Sequence, residues 1–81
     1  MTTTVRFTVE NLEAEANPKV FFEPEGLEVD LPDRGNQITV EIRHPDHGTI
    51  ELAWSPGGLT VWPPNNSVVR AWDPHGTELP L

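Results

Sequence analysis

Apolar residues recur at every second position through most of this chain. Val5, Phe7 and Val9 alternate with Thr4, Arg6 and Thr8; Leu27, Val29 and Leu31 alternate with Glu28 and Asp30. Ile38, Val40 and Ile42 alternate with Thr39, Glu41 and Arg43, and Ile50, Leu52 and Trp54 with Glu51 and Ala53. Leu59 and Val61 flank Thr60 in the same way. A period of two sends successive side chains to opposite faces, so each run specifies a strand with one dry face and one wet face.

Turn residues separate the runs. Pro24-Glu25-Gly26, Pro32 to Asn36, Pro45 to Gly48, Pro56-Gly57-Gly58, Pro63 to Asn66 and Pro74 to Gly76 each combine a fixed φ with residues that tolerate reversal. The one stretch with helical composition, Glu10–Ala16, is stopped by Pro18 and has room for a turn of helix only. The expected fold is all-β: a small antiparallel sandwich or barrel of roughly 6–8 short strands. With 81 residues it forms a single domain, 1–81.

The chain also echoes itself. Phe22–Val29 aligns with Trp54–Val61 on the pattern aromatic-x-Pro-x-Gly-Leu-x-Val, and Pro45-Asp46-His47-Gly48-Thr49 aligns with Pro74-His75-Gly76-Thr77. Two three-strand units, 22–52 and 54–81, are the corresponding expectation.

Charge and composition exclude several functions. Thirteen acidic side chains against five basic ones give a formal charge of −8, the wrong sign for phosphate backbones or anionic membranes. The absence of cysteine removes disulfides, thiolate metal sites and cysteine nucleophiles. No Gly-x-Ser-x-Gly elbow or phosphate-cradling loop is present, so a non-enzymatic protein without a cofactor is expected. The first residues, MTTTVRFTVE, lack the basic-then-apolar pattern of a secretion signal, which points to the cytoplasm.

His44 and His47 are the only metal-ligand candidates, with Glu23, Glu25 or Asp46 as helpers. Turn chemistry explains their neighbours without a ligand: Pro45 sets φ, and Gly48 is expected in the left-handed region. In an up-and-down chain the turn at Pro74 falls at the opposite end of the sheet, about 17–20 Å away, which leaves His75 out.

Trp54 is in phase with Ile50 and Leu52 and is expected in the core, whereas Trp62 shares the face of Thr60 and is expected outside. Trp72 shares a face with Val68 and Arg70; a five-residue loop over 63–67 puts it on the Trp62 side, and a four-residue loop turns it inward. An exposed tryptophan beside an arginine has the composition of an interaction patch. Trp62, Arg70 and Trp72 are therefore candidate partner-binding residues, together with Glu28 and Asp30 on the acidic stretch. A protein partner or self-association is expected, because so short a chain without staples gains by burying an open sheet edge. The competing expectation is a small-ligand binder for a carbohydrate or a divalent metal.

Overall fold

The computed structural model describes residues 1–12, 18–31 and 33–81. Among the described residues seven strands form: β1 (Thr2–Glu10), β2 (Lys19–Phe22), β3 (Leu27–Asp30), β4 (Gln37–Pro45), β5 (Glu51–Ser55), β6 (Gly58–Trp62) and β7 (Val68–Trp72). The expected all-β class holds, and the strands divide into two sheets, β1-β4-β7 and β3-β2-β6-β5. Most of the segment assigned a helical turn, from residue 13 on, lies outside the described residues.

The alternation places the core as required. From the three-stranded sheet, Val9, Ile38, Val40, Ile42 and Ala71 turn inward; from the four-stranded sheet come Val20, Phe22, Val29, Leu59 and Val61. Removing such branched side chains from water supplies the main cohesion between the sheets.

One pairing departs from an antiparallel sandwich. β2 runs parallel to β6, with Lys19 opposite Gly58 and Phe22 opposite Val61, while the other four pairings are antiparallel. The chain does not run up and down one sheet, either. It visits the three-stranded sheet with single strands and the four-stranded sheet with the β2–β3 and β5–β6 hairpins.

The echoed segments are these two hairpins, but they settle differently. Phe22 faces Leu27 and is buried, whereas its counterpart Trp54 faces Leu59 and is 74% exposed. The second echo diverges less. Both turns close on a glycine, Gly48 N–H donating to the Pro45 carbonyl and Gly76 N–H to the Asp73 carbonyl, each at 3.0 Å. The later turn adds the Asp73 carboxylate, which accepts from the N–H groups of His75 and Thr77 at 2.8 and 2.9 Å.

Gly48 corrects an expectation, since it is not among the glycines of positive φ. Space requires it instead: a Cβ there would lie 2.5 Å from Pro64 Cγ and 3.1 Å from His44 Nδ1. Gly58 has both reasons. Its φ is +139°, and a Cβ would meet the Lys19 carbonyl oxygen at 1.9 Å, inside the parallel ladder. Gly57, one residue earlier, has nothing closer than 4.0 Å. Gly58→Ala should therefore cost about 3 kcal/mol or more, and Gly57→Ala within about 0.5 kcal/mol, by urea denaturation of the two variants.

Candidate functional site

The register lays out the outer face of the three-stranded sheet in rows. Arg6, Glu41 and Arg70 stand side by side across β1, β4 and β7, and the next row is Thr8, Thr39 and Trp72. Trp72 lies outward, but not on the Trp62 side as expected of a five-residue loop: β6 and β7 belong to different sheets, so register does not carry across the connection. Both guanidiniums sit over its indole, Arg6 at 5.2 Å and Arg70 at 4.9 Å from the ring centre. The electron-rich ring face attracts each cation.

Each arginine also holds a carboxylate. Arg6 donates to Glu41 at 2.7 Å, and Arg70 donates to Glu78 through two nitrogens, at 2.7 and 3.2 Å. The Arg70 hydrogen bond holds the Glu78 carboxyl below its ordinary value of 4.5. The pairing is thus complete above the ordinary carboxylate pKa and is lost as pH falls through the lowered folded value. A carbon-detected titration of Glu78 should give a midpoint below 4.5, and Arg70→Gln should raise it toward that value.

The outer face of the four-stranded sheet carries the other candidates. Lys19 lies 3.4 Å from Glu28 and 3.0 Å from Asp30, and both contacts raise the lysine's pKa, that with Asp30 foremost. Trp62 opens on this same face opposite Glu51, 43% exposed. The five candidate residues therefore do not form one patch. Arg70 and Trp72 occupy one outer face of the sandwich; Trp62, Glu28 and Asp30 occupy the other.

The histidines separate as well. His44 points inward from β4 and is buried, its Nδ1 donating to the Pro45 carbonyl at 2.6 Å. His47 is exposed on the following turn, where Asp46 accepts from the Thr3 hydroxyl at 2.7 Å. His75 follows the end of β7 that pairs with Thr39, while His47 follows the opposite end of β4. Among the described residues no group of three or more His, Asp or Glu is placed to hold a metal ion. Adding zinc should leave the imidazole resonances of His44 and His47 unmoved in NMR spectra.

A cavity of about 280 Å³ opens at the end where the turns after β2 and β6 meet. Phe22, Leu27 and Val69 line it, with Glu23, Glu25 and Asn65 among the polar residues around them. Val69 of β7 shares this lining with Phe22 of β2 and Leu27 of β3, so β7 and the β2–β3 hairpin border the same end of the core.

On β5 the structure exposes what the alternation had assigned to the core. Leu52 and Trp54 pair with Val61 and Leu59, so their side chains leave the sheet on its inner face. Yet Leu52 is 55% exposed and Trp54 74%, against 0% and 3% for their partners on β6. The facing sheet has one strand fewer, and among the described residues these two side chains stay largely open to solvent. The inner residues Val5 and Phe7 of β1 are likewise only half-buried. The expectation of a buried Trp54 fails because alternation reports direction, whereas cover depends on the other sheet.

Comparison with protein-family models, with curated proteins and with solved structures returns no match.

Proposed function

We propose that the protein is a non-enzymatic interaction module that docks through the open flank of its sandwich. One observation carries this reading: two large apolar side chains, Leu52 and Trp54, project from the core face of an edge strand into solvent. Apolar groups of this size on a free edge support association, since a partner gains both their burial and an unused row of main-chain groups. Trp62 and the Arg6–Trp72–Arg70 stack lie on other surfaces; in the stack each guanidinium is already matched by a carboxylate. Self-association or a protein partner therefore fits the flank better than either outer face. A divalent-metal ligand has less support, because the buried His44 has committed Nδ1 to a carbonyl.

A docking surface and a core respond oppositely to polar substitution. The double variant Leu52→Ser/Trp54→Ser should change the stability of the dilute protein by no more than about 0.5 kcal/mol. It should also lose binding of a neutral apolar fluorophore such as Nile red. A loss of stability above about 2 kcal/mol would instead show that the two side chains hold the fold together, and the docking role would be withdrawn.

A further inference from the structure

We infer that the occupant of this flank is a second copy of the same chain, joined antiparallel through β5 about a two-fold axis at Ala53. The inference rests on the docking role just proposed and adds the partner and the register.

The main chain sets the register. Gly57 and Val61 turn their carbonyls toward β2, where they accept from Lys19 at 3.1 Å and Glu23 at 3.0 Å. Main-chain groups alternate sides along a strand, so Gly58, Thr60 and Trp62 direct theirs at β5. Their partners Ser55, Ala53 and Glu51 are thereby engaged, and the N–H and C=O groups of Leu52 and Trp54 point out of the free edge. A two-fold axis at Ala53 sets Leu52 of one copy opposite Trp54 of the other, twice. All four outward donors then meet outward acceptors.

Side chains and charge fit the same register. Each Leu52 meets a Trp54 on the core face, the aliphatic–aromatic pairing that stabilises antiparallel strands. Glu51 falls opposite Ser55, so no like charges oppose each other, although each copy carries −8. Ala53 meets Ala53 with its small side chain on the outer face. The other sheet edges are less suited. β3 presents Glu28 and Asp30, and β7 is already bridged by Leu79 N–H donating to Ala71 at 2.7 Å. β1 has no strand partner on its outer edge among the described residues, but its Val5 and Phe7 are half-buried and its Val9 buried, so it has less to gain. A five-residue edge is small beside the roughly 800 Å² per partner of a standard interface. Association through it is reversible and depends on concentration.

Charge exchange at the axis tests this in the full chain. Analytical ultracentrifugation should find a monomer–dimer equilibrium that tightens with added salt, because the copies repel each other overall. Ala53→Glu and Ala53→Lys each set two like charges close together across the axis, and each should weaken dimerisation at least tenfold. An equimolar mixture of the two should restore it. Because the chain has no cysteine, Ala53→Cys introduces the sole thiol and should oxidise to a covalent dimer. Three results would overturn the inference: a wild-type monomer at every concentration reached, a dimer indifferent to both charged variants, or failure of the mixture to recover. A dimer lost on Phe7→Ser but not on Ala53→Glu would assign self-association to β1 instead. With a monomer, stability unchanged in Leu52→Ser/Trp54→Ser leaves the docking role standing with a different partner, and a large loss removes both.

Discussion

The parallel contact between β2 and β6 decides the rest of the architecture. It joins two hairpins that are each only locally specified into one four-stranded sheet, and it leaves β3 and β5 as that sheet's edges. The contact depends on Gly58, whose missing side chain lets the Lys19 carbonyl approach where any Cβ would collide. Parallel strands cannot be joined by a tight turn, so the chain between β2 and β6 must leave the sheet and return. After β3 it does so through β4, the centre of the opposite sheet, and it returns by β5.

From this follows the inequality of the sheets. Three strands cannot cover four. The open side falls at β5, whose inward apolar side chains are the ones a sandwich would ordinarily hide. Elsewhere the chain handles exposed groups locally: Arg6 and Arg70 each combine a carboxylate with the face of Trp72, and Lys19 ties down Glu28 and Asp30. Such surface pairs contribute little individually to stability. Their effect is to occupy the outer faces with matched charges, which leaves β5 as the surface with most to gain from a partner.

Much of the fold was legible because alternation and turn chemistry are local. Val40 and Ile42 fall inside, Trp62 and Arg70 outside, and Gly76 takes a positive φ, each as neighbours in sequence require. Pro45 is admitted to β4 for a reason the sequence does not display. Since Ala71 directs its carbonyl at Leu79, the groups of Arg70 and Val68 face β4, and Pro45 lacks its N–H on the β7 side beyond the last paired residue. The candidate site was legible only in part. Trp54 has the phase of a core residue and the exposure of a surface one, and no window of sequence around it distinguishes the two.

By itself the sequence determined the all-β class, the direction of nearly every strand side chain and the places where the chain reverses, because these depend on residues one to four positions apart. Which strands adjoin and which sheet covers which were settled only in three dimensions. They depend on contacts such as Gly58 against Lys19 and Gly48 against Pro64, between residues far apart along the chain. Those contacts placed Trp62 and Trp72 on opposite faces, buried His44 and left Leu52 and Trp54 uncovered. The same alternation that marked Trp54 for the core gave it an inward direction; on a four-stranded sheet facing three strands, that side of β5 stays open to solvent among the described residues.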